Sequence, residues 1–379
     1  MVYVGQRWAM QIALPLAALA WLGHGLAGQV WVLHVARFVI GVVTGFLCTG
    51  GSSYILETSH ASSRGMLYGM VQTIRQCGMI LPYLLGYLDL GWRMLAFLCG
   101  LSFIVPFVGL FFMPDSPRWL ATRKRNGEAS KALQFLRGEK FDASSELNDI
   151  LYEASKSEKV DVKVQVKLLT MPHILKPFLV INLLTFMSVV GGVNVLTVYG
   201  VVILQNASGF LTPYSSTVFL LAMRILAFTS SLFIIDRYGR KPILYVTLTI
   251  CTMGLFGFGF IMILSDFNID TSAINWLPMV CVISFCLAIG FAFPVLFILQ
   301  GELVPTPVRA IGFSMVTLIG YIASFVSIAT YPFLAELLGV GLVFMLFALI
   351  NLAMILLVWR CIPETGNKSL EELTCIADR

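Results

Sequence analysis

Two short stretches of the chain repeat the same spacing of charges. Residues 57–64 read ETSHASSR and residues 302–309 read ELVPTPVR, so each begins with a glutamate and ends with an arginine. Each stretch lies between two long apolar runs. A polar pattern that recurs in distant parts of a chain predicts two halves with the same internal organisation.

The connectors around these stretches repeat in the same order. PDSPRW begins at Pro114 and PETGNKS at Pro363, and GQR at residues 5–7 corresponds to RYGRK at residues 237–241. Two apolar runs precede RYGRK within its half, whereas none precedes GQR. We therefore expect a parallel repeat of two helical bundles, in which the first two of twelve helices are missing from this chain.

Apolar runs of membrane-spanning length fill most of the sequence. The chain is 58% hydrophobic and 12% charged, whereas an ordinary soluble domain carries about 25% charged residues. One crossing needs roughly 20 apolar residues. Hydropathy predicts an all-α, polytopic membrane protein with about ten spans, near residues 8–26, 30–55, 66–88, 93–113, 174–205, 214–235, 242–265, 275–300, 311–334 and 339–360.

One long polar segment divides these spans into four and six. We predict a first bundle at residues 1–113, a cytoplasmic linker at 114–173, a second bundle at 174–362 and a cytoplasmic tail at 363–379. The linker contains EASKALQFLRGEK, whose apolar residues recur at helical spacing. We therefore expect short helices there rather than a disordered linker.

The basic residues predict the orientation. Of the 25 Lys and Arg, 12 lie between Arg118 and Lys176, while the connections near 27–29, 206–213, 266–274 and 335–338 contain none. The positive-inside rule then places both termini and the linker in the cytoplasm, and the acceptor sequence Asn206-Ala-Ser208 outside. We expect a multi-pass protein of the plasma membrane whose net charge of +5 reflects topology and not nucleic-acid binding.

Several motifs together resemble a known family. They are RFVIG at 37–41, PDSPRWL at 114–120, GGVNVLTVY at 191–199, DRYGRK at 236–241, GELVPTPVR at 301–309 and PETGNKSLEEL at 363–373. The chain resembles the major facilitator superfamily, and most closely its sugar-porter branch of facilitative hexose and insect trehalose carriers. The resemblance implies two bundles in the lipid bilayer around a midplane site, which opens alternately to either side to move a small polar solute such as a sugar.

The resemblance also implies a gating network of charges at the cytoplasmic helix ends. Salt bridges in this network would hold the outward-open state and break as the bundles rock. Carboxylates and guanidiniums can pair in this way, although the alternative is a set of solvated loop charges. The residues are Glu57, Arg64, Arg118, Asp236, Arg240, Glu302, Arg309 and Glu364.

The expected sugar site departs from the family pattern. Ser188 and Val189 stand where sugar porters carry a glutamine pair, and Phe297 stands at a tryptophan position. The alternative for each polar candidate is a hydrogen bond between helices. The candidate substrate-binding residues are Gln72, Arg75, Asn194, Tyr199, Arg224, Pro294 and Phe297.

Two arginines lie deep within predicted spans. Arg75 and Arg224 are 11 and 12 residues from the cytoplasmic positions Arg64 and Asp236, which is roughly 16–18 Å at 1.5 Å per residue. A charge facing lipid at that depth is costly, and the resemblance places both residues on the cavity side. Either they bind an organic anion together, or each donates hydrogen bonds within its bundle.

Other functions find little support in the sequence. The four histidines, His24, His34, His60 and His173, are far apart in the chain. We therefore expect no enzyme, no metal and no cofactor, and a small-molecule substrate as the partner. Ion coupling remains open, and a non-transporting truncated isoform or fragment is a further alternative.

Overall fold

The chain is almost entirely helical where its structure is described. This computed structural model describes residues 4–60, 64–88, 90–138, 144–156, 168, 171–205, 213–267, 269, 274, 276–303 and 309–362. The helices are α1 (Gln6–Leu26), α2 (Val30–Thr58), α3 (Arg64–Tyr87), α4 (Gly91–Leu101), α5 (Ile104–Phe111), α6 (Pro117–Thr122), α7 (Asn126–Arg137), α8 (Ser144–Lys156), α9 (Pro172–Ser188), α10 (Asn194–Leu204), α11 (Pro213–Tyr238), α12 (Arg240–Asp266), α13 (Leu277–Leu303), α14 (Arg309–Leu338) and α15 (Val340–Cys361).

Within these ranges, nine helical stretches are long and apolar enough to cross a bilayer. The expected span at 66–88 is also helical, as the 24-residue α3. It is not among the nine, because Arg75 and the glutamines at 72 and 76 lower its hydropathy. The all-α, polytopic membrane fold is therefore confirmed, with one span that is more polar than the others.

The expected span at 93–113 is interrupted, since α4 ends at Leu101 and α5 begins at Ile104. Pro106 accounts for this break. Its ring nitrogen cannot donate to the carbonyl of Ser102, four residues earlier, and the ring clashes with that carbonyl. In the same turn, the Ser102 hydroxyl donates to the carbonyl of Cys99 at 2.7 Å. Hydropathy cannot detect such a break, because the residues on both sides are apolar.

The chain forms two compact units, Met1–Val160 and Asp161–Arg379. In the first, α1 packs against α2 and α4. Small residues make the first of these contacts, since Ala13 and Ala17 of α1 meet Val43 of α2. The helices α6, α7 and α8 pack on one another through a separate small apolar cluster that includes Leu120, Ala129 and Ala132. They belong to the first unit.

Arg137 ties α7 and α8 to the end of α2. Its guanidinium makes two hydrogen bonds to the Glu146 carboxylate, at 2.9 and 2.7 Å, and a third to the carbonyl of Thr58 at 3.0 Å. Thr58 is the last residue of α2, and the final carbonyls of a helix lack partners within it. One side chain therefore joins a carboxylate on α8 to an unsatisfied helix end.

The second unit has the larger apolar core, which includes Phe258, Phe285 and Phe344. At its centre α12 and α15 approach until their backbones touch. A Cβ atom added to Gly259 would lie 2.7 Å from the carbonyl oxygen of Gly341, and one added to Gly341 would lie 2.7 Å from that of Gly259. Small residues that permit such close approach are typical of helix pairs in membranes.

We predict that Glu146→Gln lowers the local stability of α7 and α8 and removes the dependence of that stability on the ionisation of Glu146. The hydrogen bond from Arg137 is the main reason that the pKa of Glu146 lies below its ordinary value of 4.5, and the nearby charges of Arg137, His60 and Arg118 lower it further. The ionised carboxylate thus contributes stability above that ordinary value, and this contribution is lost as the pH falls through the depressed pKa.

Hydrogen exchange of the α7 and α8 amides, corrected for intrinsic rates, measures this effect. A partly buried ion pair worth about 1 kcal/mol corresponds to roughly fivefold faster exchange in the variant near neutral pH. Glu128→Gln is the matched control, since the Arg125–Glu128 pair at the start of α7 is half exposed and its loss should change little. Equal exchange in both variants would contradict the role of Arg137.

Candidate functional site

The expected span at residues 174–205, which corresponds to the seventh helix of the twelve-helix repeat, is a broken helix. A turn at Val189–Val193 separates α9 from α10, and Gly191 and Gly192 have non-helical dihedral angles there. Gly192 has φ of 101°, a conformation that residues with a side chain rarely adopt. A Cβ atom at this position would also lie 3.0 Å from the Phe347 ring. The glycine pair therefore makes the break possible.

Asn351 of α15 compensates for the break. Its amide nitrogen donates to the Gly191 carbonyl at 3.1 Å and to the Phe347 carbonyl at 2.9 Å, and its side chain is buried. A break in a membrane helix frees backbone groups that water cannot reach, so another helix must bond them. The sequence analysis missed Asn351, although a lone amide in the apolar run LINLAM at 349–354 was a usable signal.

Asn194 begins α10 directly after the break. Its amide donates to the Ser324 hydroxyl of α14 at 2.8 Å, and that hydroxyl donates to the Gly320 carbonyl at 2.9 Å. Asn194 is only partly buried. A carboxamide offers two donors and an acceptor, so it can bond Ser324 and still form hydrogen bonds with a polar ligand.

Tyr199 lies on the same helix and contacts the same neighbour. Its hydroxyl donates to the carbonyl of Ile328 at 3.2 Å, and its ring centre is 5.0 Å from that of Tyr331. Both contacts are on α14. Of the sequence-predicted residues, Asn194 and Tyr199 therefore both bond α14, which fixes their orientation.

Arg224 is buried within the second unit. Its guanidinium donates to the Thr197 hydroxyl of α10 at 2.9 Å, and Thr197 donates to the Val193 carbonyl at 2.8 Å. The adjoining cavity is lined by Thr217 and Cys286 among others and measures about 10 Å³. A cavity of this size holds about one water molecule. It has no room for an organic anion.

Pro294 and Phe297 lie on α13. Pro294 is buried, while Phe297 is partly buried with its ring centre 5.9 Å from that of Phe293. On the same helix, Gln300 donates to the Thr185 hydroxyl of α9 at 3.1 Å, with both side chains buried. The sequence analysis missed this amide, whose signal was its place near the end of an apolar span.

In the first unit, α3 carries Gln72 and Arg75. Gln72 is buried, as is Gln76 one turn further, whereas Arg75 is exposed. These two predicted site residues, Gln72 and Arg75, therefore lie in different environments on α3. An exposed position in the membrane-spanning part of the chain does not by itself identify a ligand contact.

Glu57 is bonded by polar neutral groups. Its carboxylate accepts hydrogen bonds from the Gln6 amide at 2.6 Å, from the Ser53 hydroxyl at 3.0 Å and from the Ser116 hydroxyl. Arg118 and Arg240 of the expected gating network are partly exposed. Glu364 and the side chains of Arg64, Asp236, Glu302 and Arg309 lie outside the described residues.

Arg7 makes the ion pair that the gating prediction missed. It lies 3.9 Å from the Asp115 carboxylate and donates to the carbonyls of Leu110 and Phe111 at 3.0 and 3.2 Å. Those two carbonyls end α5, so the cation also stabilises the negative end of a helix. The signal was available, because the connectors GQR and PDSPRW contain both partners of the pair.

A family model described as sugar (and other) transporter matches residues 1–376. The chain belongs to this family. Facilitated trehalose transporters are similar over 98% of the chain: 29% identity for that of Apis mellifera ligustica, 30% for Anopheles gambiae and 29% for Drosophila virilis. The chain spans 74% of the first relative, and 47% and 41% of the other two.

Solved structures show the same fold. A proton:xylose symporter, XylE, bound to 6-bromo-6-deoxy-D-glucose has a TM-score of 0.76 at 20% identity, covering 98% of this chain and 83% of that one. The inward-open xylose transporter XylE from E. coli has a TM-score of 0.80 at 19% identity, covering 98% and 82%. The major facilitator fold is thereby confirmed. The family match, and not these structures, makes the chain a multi-pass membrane transporter rather than an enzyme.

The organic-anion alternative is not favoured. The family match points to a sugar substrate, and the guanidinium of Arg224 is enclosed beside a water-sized cavity and bonded to Thr197. Its guanidinium bonds the hydroxyl of a neighbouring helix within the same unit. For Arg224, this bond fits the alternative in which the arginine donates hydrogen bonds within its bundle.

We predict that Asn351→Leu destabilises this transporter by about 1–3 kcal/mol, because a buried backbone carbonyl loses its donor. Thermal unfolding of the purified protein in detergent measures the change. Leu352→Ala is the control, since Leu352 is the next residue of α15 and is exposed. If the two variants unfold at the same temperature, the amide does not support the break.

Proposed function

We propose that this protein carries a neutral sugar across the membrane by facilitated diffusion, with trehalose and glucose as the first substrates to test. The match of the sugar transporter family to residues 1–376 carries the proposal. The relatives at 29–30% identity that bear the name facilitated trehalose transporter support the choice of sugar.

The sugar site is proposed to use amides and aromatic rings. Asn194 and Tyr199 stand on α10 beside the break, with their orientation fixed by bonds to α14. Gln72 adds a second amide, and Phe297 with Pro294 adds apolar surface. Sugar hydroxyls need convergent donors and acceptors in a site that is otherwise apolar, and these residue types supply both. Arg224 is proposed to join α10 to α11, and Arg75 is left out of the sugar site.

Transport is proposed to be independent of protons. Wherever the bounds of a spanning helix are described, its Asp and Glu residues fall within its last three positions: Glu57, Asp236, Asp266, Glu302 and Glu336. A carboxylate that carries a proton across needs to lie deep in the membrane, and this distribution provides none in those helices.

The gating network is retained as part of the proposal. Glu57, Arg64, Arg118, Asp236, Arg240, Glu302, Arg309 and Glu364 would bias the alternating-access equilibrium by a few kcal/mol. The polar shell of Glu57 supports this role, because the carboxylate is bonded to Gln6 on α1 and to Ser116 beyond α5. Such a carboxylate joins segments that are distant in the chain.

Uptake into proteoliposomes tests the function. We expect saturable entry of radiolabelled trehalose or glucose that a protonophore leaves unchanged. Asn194→Ala should lower kcat/KM about tenfold, since a hydrogen bond to the substrate is worth about 1–1.5 kcal/mol. Val198→Ala, at an exposed position of the same helix, should be neutral. Uptake equal to protein-free vesicles would refute sugar transport, and collapse with the protonophore would refute facilitated diffusion.

The protein is further proposed to lie in the plasma membrane, with both termini and residues 114–173 in the cytoplasm. The exposed run Arg123–Lys124–Arg125 between α6 and α7 is a natural trypsin site. Trypsin should cut there in inside-out vesicles and spare it in right-side-out vesicles. A variant with glutamine at all three positions identifies the cut, and cleavage in right-side-out vesicles would reverse the proposed orientation.

A further inference from the structure

The connectors before α1 and α12 have the same backbone conformation. Gly5 precedes the first residue of α1 with φ of 87° and ψ of 156°, and Gly239 precedes the first residue of α12 with φ of 82° and ψ of 166°. Residues with a side chain rarely adopt such angles. The repeat seen in the sequence is therefore present in the backbone, and Gln6, which begins α1, is the structural equivalent of Arg240, which begins α12.

The second helical residue after each glycine makes the same contact in both units. Arg7 donates to the carbonyls of Leu110 and Phe111, the last two residues of α5, at 3.0 and 3.2 Å. Lys241 donates to the carbonyl of Trp359, in the last turn of α15, at 3.2 Å. In each unit a cation thus satisfies carbonyls at the end of the last spanning segment of that unit. These matching contacts fix the register in which the two units are compared.

The two units differ at the residue just before this cation. Arg240 carries a permanent positive charge, whereas Gln6 is neutral. Gln6 is buried, and its amide donates to the Glu57 carboxylate at 2.6 Å. Glu57 is the second-last residue of α2, and Glu302 is the second-last residue of α13. The equivalent helix starts therefore carry an amide in one unit and a guanidinium in the other, while the equivalent helix ends both carry a glutamate.

Among the described residues, the Glu57 carboxylate accepts hydrogen bonds from neutral groups. The Ser53 and Ser116 hydroxyls are its donors besides the Gln6 amide, while the neighbouring cation Arg7 bonds the end of α5. A guanidinium can form two parallel hydrogen bonds to a carboxylate and adds the attraction between opposite charges, whereas the amide makes one bond here. Gln6 therefore joins α1 to the end of α2 more weakly than an arginine at this position would.

We propose that Gln6 is a positioning residue that sets how readily the end of the first unit that carries Glu57 opens during transport. Its amide orients the Glu57 carboxylate, and its neutrality keeps the bond between α1 and α2 weak enough to break in each cycle. An arginine at position 6 would hold this end closed and slow transport. The inference deepens the proposed gating role of Glu57 and rests on that proposed function.

Hydrogen exchange of the purified full chain tests the contact without any sugar. Gln6→Arg should slow exchange of the amides at the end of α2 about fivefold, the effect expected of a partly buried ion pair. Gln6→Lys, which adds the charge without the planar fork, should slow it less. Val4→Arg is the matched control, because it adds the same charge two residues earlier at an exposed position. Exchange in Gln6→Arg equal to that in Val4→Arg would overturn the proposal, whether or not the protein carries a sugar.

Uptake of radiolabelled trehalose or glucose into proteoliposomes tests the role in transport. Gln6→Arg should lower kcat about fivefold and leave KM unchanged, because the substitution affects opening and not the sugar contacts. In a Glu57→Gln background the same substitution should change kcat less than about twofold, since its partner is then neutral. Slower exchange at α2 with an unchanged kcat would overturn the role of Gln6 in opening. Wild-type vesicles without uptake would instead refute sugar transport, on which the exchange measurement does not depend.

Discussion

The bond between Asn351 and the Gly191 carbonyl is the interaction on which the second unit depends. In hydrocarbon a helix can be interrupted only if another part of the protein bonds the freed backbone groups. The amide of α15 does so, and it also bonds the Phe347 carbonyl of its own helix. Because the break is supported from α15, α10 can start in a new direction and present Asn194 and Tyr199 to α14.

The fold could be predicted from the sequence, because it follows from signals that are summed over many residues. Hydropathy over 20-residue windows and the recurring connectors around Glu57 and Glu302 need no knowledge of packing. The break at Gly191–Gly192 has a local cause that such windows average out, since Val189, Val190 and Val193 keep the segment apolar. The glycine pair itself was visible, but its conformation depends on Phe347 and Asn351, which come much later in the chain.

The candidate site was harder to predict for the same reason. Arg224 and Arg75 look alike in sequence, yet one is buried against Thr197 and the other is exposed. Many polar side chains in the spans form hydrogen bonds within their own helix: Thr249, for example, donates to the carbonyl four residues before it. A polar residue type therefore does not identify a cavity. The contacts that distinguish Asn194 from Thr249 join separate helices, and no local pattern encodes them.

The close approach of Gly259 and Gly341 also limits how the second unit can move. Packed helices slide past one another by exchanging side-chain rotamers at their interface, but here backbone meets backbone and there is no rotamer to exchange. We expect α12 and α15 to move as one rigid body during a transport cycle. Any bending within the second unit is then expected at the break at Val189–Val193, whose glycines tolerate a change of dihedral angle. Asn351 belongs to α15, so we expect the Val189–Val193 segment to bend while the Gly191 carbonyl stays bonded to the Asn351 amide.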